Sequence, residues 1–279
     1  MAIQRVLVVG AGQMGGGIAQ VVAASGRDVA LYDAQPGATD RALETMAKSL
    51  ARLAEKGAVS DTGDVLSRVA VVEQIEPADL MIEAVVEDAS VKEAVFREAD
   101  AVLPEHAILA SNTSSIPIAT LAAATKRPEL VIGMHFFNPV PVLKLVEVIR
   151  AEQTSDETAA AIVGLARELG KDPVEARDVA GFVSNRILMP FINEAVHALA
   201  EGVAGAEGID TVAKLGFAHP MGPLALADLI GLDTCLAIME VLRDGLGEAR
   251  FEPDPLLREH VAAGRLGRKA GRGFYDYSA

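Results

Sequence analysis

The chain has 279 residues, 51% of them hydrophobic, and 39 Asp and Glu against 25 Lys and Arg give a formal net charge of −14. That surplus repels nucleic acid and anionic membrane surfaces, so neither is expected as a partner, while an anionic small ligand stays compatible because helix N-termini and a few local cations hold phosphates on acidic proteins. The single cysteine, Cys235, lies in an apolar stretch and cannot form an internal disulfide, which points to a core residue in a reducing compartment, the cytoplasm.

The first strand candidate, Arg5–Val9, opens almost at the N-terminus and leaves no room for a signal peptide. No apolar run reaches membrane-spanning length. Further strand candidates are Val29–Tyr32, Val69–Val72, Leu80–Val85 and Ala107–Ser111, most of them short and rich in Val, Ile and Leu. Helical periodicity fills the gaps at Gly15–Ser25, Asp40–Lys56 and Val91–Val102. Strands that alternate with helices predict a doubly wound α/β sheet. Strand candidates Val131–Phe136, Leu143–Val148 and Asp172–Glu175 follow, with helix Asp156–Leu169 between the last two. From Phe182 the pattern turns helical, at Phe182–Glu201, Gly208–Leu215, Pro223–Gly245 and Asp254–Ala263. The boundary is placed near Gly181, giving an N-terminal domain over 1–181 and an all-helical domain over 182–279. The apolar segments Phe182–Glu201 and Leu224–Leu242 are more than a small domain can bury alone, so a homodimer is expected.

Gly10, Ala11, Gly12, Gln13, Met14 and Gly15 spell GxGxxG directly after the first strand and at the start of a helix, and Asp33 ends the next strand. In that context the motif is a dinucleotide fingerprint and the sheet is of the Rossmann type. One glycine permits the tight turn, one admits the pyrophosphate to the backbone, and one lets helix and strand pack closely. Asp33 accepts hydrogen bonds from the adenosine ribose and repels a 2′-phosphate. Ala34, Gln35 and Pro36 supply no arginine to offset that repulsion, so NAD is expected rather than NADP. FAD shares the fingerprint.

Two strand-like segments flank the turn-forming stretch Asn138–Val142. If they form a hairpin centred on position 141, His135 and Glu147 each lie six residues from the centre and pair. Cross-strand Cβ atoms sit about 5 Å apart, so the carboxylate can bond one imidazole nitrogen and leave the other to exchange a proton. The alternative is a satisfied core histidine beside a strand-edge charge.

Several stretches in order carry a family resemblance: Ser111–Ser115 (SNTSS), His135–Pro141 (HFFNPVP), Lys144–Val148 (KLVEV), Gly181–Arg186 (GFVSNR), His219–Pro223 (HPMGP) and Gly273–Tyr275 (GFY). With the fingerprint, they make the chain resemble the 3-hydroxyacyl-CoA dehydrogenase family. The resemblance implies NAD-dependent oxidation of an L-3-hydroxyacyl-CoA, with His135 as base, Glu147 as its partner and the thioester entering a cleft between the domains. By position, Ser114 and Asn138 match residues that contact substrate and nicotinamide, and Asn185 one that holds the substrate. Glu87, Lys92 and Lys269 match cofactor contacts, and Ser49 and Lys56 match coenzyme A contacts.

Each has a plainer alternative. Ser114 and Ser115 could cap a helix near Ile118–Ala124, Asn185 could simply open a helix, and the lysines could be solvated charges. On the Asp40–Lys56 helix, Leu43, Met46, Leu50 and Leu53 form an apolar stripe while Lys48, Arg52 and Lys56 fall four apart on another side. Glu44, four before Lys48, offers a pairing instead of a phosphate grip. Rival functions are a β-hydroxyacid dehydrogenase, which needs a lysine absent from Phe182–Glu201, a sugar-acid dehydrogenase of the same family, and a non-catalytic NAD-binding protein. No metal site is expected.

Overall fold

A computed structural model describes residues 3–57 and 60–278. Eight strands form one sheet: β1 (Arg5–Val9), β2 (Asp28–Tyr32), β3 (Val69–Val71), β4 (Leu80–Glu83), β5 (Ile108–Ser111), β6 (Val131–Phe136), β7 (Leu145–Arg150) and β8 (Asp172–Arg177). Their order is β3-β2-β1-β4-β5-β6-β7-β8. Neighbours from β3 across to β6 are parallel, β7 runs antiparallel to β6, and β8 is parallel to β7. Parallel neighbours need crossovers, and the expected helices supply most of them. These are α1 (Gln13–Ala24), α2 (Ala38–Glu55), α3 (Thr62–Ser67), α4 (Ala89–Val102), α5 (Ile118–Ala122) and α6 (Asp156–Glu168). Every residue of β4, β5 and β6 is buried. Helices cover both faces of the sheet, which is why these strands read as continuous apolar runs with no alternation.

Side chains fix several helix starts. Asp88 accepts from Val91 N at 3.0 Å to open α4, and Ser155 accepts from Thr158 N at 3.1 Å to open α6. Helix α3 carries no apolar periodicity of useful length and was not expected; Asp61 caps it by accepting from Asp64 N at 2.9 Å.

The chain divides into two compact units, Met1–Asp178 and Val179–Ala279, a few residues ahead of the expected Gly181. The second unit consists of α7 (Ser184–Ala200), α8 (Ala206–Gly216), α9 (Pro223–Ile230), α10 (Leu232–Leu246) and α11 (Pro255–Ala262). They pack around Met189, Ile192, Val196, Leu224, Leu232 and Met239. The single helix expected over Pro223–Gly245 is broken. Gly231 takes φ +105°, outside the helical region, and separates α9 from α10. The stretch Gly273–Tyr275 is tied down by Asp228, whose carboxylate accepts from Phe274 N and Tyr275 N at 3.0 Å each. Asp210 accepts from Leu224 N and the Tyr275 hydroxyl, so part of that motif is structural. Among the described residues no helix is long and apolar enough to cross a membrane.

Candidate active site

Strands β1, β4, β5 and β6 are parallel neighbours, so their carboxyl ends share one edge of the sheet. The fingerprint loop leaves β1, Glu87 follows β4, Ser114 follows β5, and His135 lies near the end of β6. The crossovers reverse direction between β1 and β4, which is where doubly wound sheets bind ligands.

The loop after β1 is folded hard against its surroundings. Gly10 has φ +101°, and a Cβ there would lie 2.5 Å from Ala84 O; a Cβ on Gly15 would lie 1.7 Å from Gly10 O. Around the Cβ position of Gly12 there is nothing within 4 Å. Gly12, the N-cap of α1, makes no side-chain cap, and Gly12 and Gln13 border an open cavity, a place suited to a phosphate. Ala11, Gly12, Gln13, Asp33, Ser49 and Asn138 line a cavity of about 440 Å³. Met14 instead packs on the core. A second cavity of about 390 Å³, with Tyr32, Ala34, Ile75, Val85, Val91 and Val95 in its walls, provides an apolar slot beside Asp33. Phosphate donors, a ribose-facing carboxylate and an apolar slot together fit an adenine dinucleotide.

Asp33 does more than the sequence suggested. Its Oδ2 accepts from Ala11 N at 2.6 Å and its Oδ1 from Gln35 N at 2.7 Å, which fastens the end of β2 to the glycine loop. Arg41, one turn into α2, also lines the larger cavity. It lies beyond Ala34, Gln35 and Pro36, the stretch directly after Asp33 that holds no arginine.

The β6–β7 register pairs His135 with Glu147, as a hairpin centred on position 141 requires. Imidazole Nδ1 lies 2.8 Å from Glu147 Oε2, and both side chains are buried. Three neighbours hold the pair. Asn112 Oδ1 accepts from Phe136 N at 2.8 Å, the Phe137 ring lies 4.7 Å from the imidazole between centroids, and Ser114 Oγ lies 3.3 Å from His135 Nε2. Buried Lys171 donates through Nζ to Val140 O and Leu143 O, clamping the turn that joins the strands. Burial holds its ammonium below the usual lysine range. With Nδ1 bound to the carboxylate, Nε2 is the ring nitrogen left toward Ser114, an arrangement suited to proton exchange.

The serine loop is organised differently from the capping alternative. Helix α5 is capped by Asp178, whose carboxylate accepts from Ile118 N at 2.9 Å and Ala119 N at 2.8 Å. Ser114 and Ser115 turn to Glu87 instead. Glu87 Oε1 accepts from the Thr113 hydroxyl at 2.6 Å, Ser114 N at 2.9 Å, Ser115 N at 3.0 Å and the Ser115 hydroxyl at 2.9 Å. Burial works against its charge, but Lys92 and these donors outweigh that and hold the carboxyl below its usual value. Lys92 is not the solvated surface charge of the plainer alternative. It is 1% exposed, with Nζ 2.6 Å from Glu83 Oε1 and 3.3 Å from Glu87 Oε2.

Of the coenzyme A candidates, Ser49 lines the larger cavity, whereas exposed Lys56 ends α2 outside the lining. In the second unit, Asn185 is buried in the first turn of α7, and Lys269 pairs with Asp233 at 2.6 Å. Glu83, Asn112 and Lys171 escaped the sequence reasoning. Glu83 left one signal, an acid within an otherwise apolar strand, and Asn112 another, its place inside the Ser111–Ser115 stretch; Lys171 gave none.

A dinucleotide cradle and an oriented base on one sheet edge define the class: a Rossmann-type dehydrogenase. Comparison with known proteins narrows it. The 3-hydroxyacyl-CoA dehydrogenase NAD binding domain matches residues 5–179, and the C-terminal domain of the same family matches residues 181–277. A probable 3-hydroxybutyryl-CoA dehydrogenase of Bacillus subtilis (strain 168) is 55% identical over 99% of this chain and 98% of its own. A 3-hydroxybutyryl-CoA dehydrogenase of Bradyrhizobium diazoefficiens is 50% identical over 99% of this chain and 96% of its own. The crystal structure of the (S)-3-hydroxybutyryl-CoA dehydrogenase from Ralstonia eutropha superposes with a TM-score of 0.96 at 48% identity, covering 100% of both chains. This chain belongs to the 3-hydroxyacyl-CoA dehydrogenase family.

Proposed function

We propose that the chain interconverts L-3-hydroxyacyl-CoA and 3-oxoacyl-CoA thioesters with NAD, acting on short acyl groups such as 3-hydroxybutyryl. The observation that carries this reading is the 2.8 Å contact between His135 Nδ1 and Glu147 Oε2, on the same sheet edge as the fingerprint loop. NAD, when bound, supplies the acceptor for the C3 hydride. His135 Nε2 takes the proton of the C3 hydroxyl as the alcohol becomes a ketone, and returns it in the reverse direction. Glu147 holds the tautomer and balances the imidazolium. Ser114, 3.3 Å from Nε2, bonds the same substrate oxygen. Gly12 and Gln13 offer the start of α1 to the pyrophosphate, Gly10, Ala11, Met14 and Gly15 shape the turn that presents it, and Asp33 holds the ribose.

Asn138 is assigned to the nicotinamide, Ser49 and Lys56 to coenzyme A, Asn185 to the substrate and Lys269 to the cofactor, on the residue match to the family. The chain is proposed to work in the cytoplasm as a homodimer built through its second unit. Ile187 at 67%, Leu215 at 82% and Phe217 at 58% exposure leave that unit with apolar surface to cover. A monomer in size-exclusion light scattering at micromolar concentration would remove the dimer.

The decisive assay follows NADH consumption with acetoacetyl-CoA. His135→Ala is expected to lower kcat by about 10²–10⁴-fold, the share of a positioned base, while NADH still binds in a fluorescence titration. Undiminished turnover in that variant would exclude His135 as the base.

A further inference from the structure

Beneath the serine loop lies a buried charge cluster that the proposed chemistry does not use. Glu83 ends β4 and is 0% exposed; Lys92 reaches it from the first turns of α4. An ammonium in such a place persists only with close partners, and Lys92 has three: Glu83 Oε1 at 2.6 Å, Val85 O at 3.3 Å and Glu87 Oε2 at 3.3 Å. Two carboxylates therefore share one ammonium.

Two arms run from this cluster to the same short loop. On one side, Glu83 Oε2 accepts from the Ser111 hydroxyl at 2.7 Å, and Ser111 Oγ accepts in turn from Thr113 N at 3.1 Å. On the other side, Lys92 steers the Glu87 carboxylate, whose Oε1 gathers Thr113, Ser114 and Ser115. Ser114 lies within the span so held, and its Oγ is the atom 3.3 Å from His135 Nε2. An ion pair that only filled space in the core would need neither arm.

We propose that Lys92 and Glu83 are positioning residues for the Ser114–His135 contact, acting through Glu87 and Ser111 to fix the loop Ser111–Ser115. This rests on the function proposed above, with Ser114 at the reacting oxygen. Lys92 then serves the reaction through the loop Ser111–Ser115, from behind it. Loss of its charge also leaves Glu87 facing Glu83, and His135 and Glu147 are titratable groups on the far side of Ser114. The Glu87 carboxyl, now held below its usual value by Lys92 against the opposing effect of burial, then binds a proton at higher pH. Once protonated it releases the Ser114 and Ser115 amides, so activity falls on the acid side.

The test compares Lys92→Met, the charge-balanced double variant Glu83→Gln with Lys92→Met, and Ser111→Ala in the full-length enzyme. Lys92→Met is expected to lower kcat for acetoacetyl-CoA reduction by up to about 10²-fold, the effect of roughly 1 Å of misplacement. It should change the KM far less, and should add an acid limb to the kcat–pH profile. The double variant should regain the parent Tm without regaining kcat. Ser111→Ala, which cuts one arm and leaves the ion pair intact, should lower kcat several-fold with NADH affinity unchanged. Recovery of kcat together with Tm in the double variant would make the cluster purely structural and overturn the proposal, as would parent kcat in Ser111→Ala. Amide hydrogen exchange at Ser114 and Ser115 reports the loop without any turnover and should quicken in all three variants. A parent with no turnover would sink the proposed function, and exchange rates equal to the parent's would sink the positioning role.

Discussion

Replacing Glu147 by Gln tests the catalytic pair with the least change of shape. In the parent, a buried carboxylate oxygen sits 2.8 Å from imidazole Nδ1. When Nε2 takes a proton, the carboxylate faces a full positive charge. At a charge separation of about 4 Å and an effective dielectric constant of about 20, that attraction is about 4 kcal/mol, or about 10³-fold in rate. A glutamine keeps the bulk but gives up this attraction, and its amide can donate to Nδ1, which would place the ring proton on Nε2 and block its use as a base. In serine proteases the analogous aspartate-to-asparagine change costs about 10⁴-fold through the wrong tautomer. Glu147→Gln is therefore expected to lose about 10³–10⁴-fold in kcat. Steady-state NADH absorbance with acetoacetyl-CoA reads that loss, and an unchanged NADH fluorescence titration shows the cradle intact. If kcat stays within about threefold of the parent, less than 1 kcal/mol of barrier, the contact orients nothing that matters and the assigned chemistry fails.

Three further outcomes follow from the packing of Gly15, Cys235 and Glu87. Gly15→Ala would put a methyl group 1.7 Å from Gly10 O; overpacking of about 1–3 kcal/mol translates to a rise of about 5- to 150-fold in the NADH dissociation constant. Affinity equal to the parent's would show that the loop relaxes freely. Burial, reinforced by the charges of Asp233 and Asp228, pushes the Cys235 thiol up to about 12, so thiol reagents near neutral pH should leave the folded enzyme untouched and react fully once it unfolds. Prompt labelling of the native protein would contradict that burial. The Glu87 carboxyl is held below its ordinary value of 4.5, so its stabilisation is complete above 4.5 and fades as the pH falls through the lower folded value. Glu87→Gln should lower Tm near neutral pH, with the gap to the parent closing in acid; a gap of constant size would mean that the charge is not what matters.

Chain order carried much of this protein in plain sight. The alternation of apolar runs with helical periodicity gave the doubly wound sheet, because buried parallel strands need continuous hydrophobic side chains and crossovers between them. The fingerprint was legible because its glycines answer local backbone demands within a few residues, and the hairpin centre at position 141 set the His135–Glu147 register because strand pairing counts residues symmetrically. What tertiary structure decided involves partners far apart in the chain. Asp178 caps α5 from 60 residues away, so Ser114 and Ser115 were released to Glu87. Lys92, which looks like a surface charge on an amphipathic helix, is drawn into the interior by Glu83, because a carboxylate buried at the end of β4 must find a cation. Periodicity records which face of an element is apolar; which charges meet once those faces close is settled only by packing.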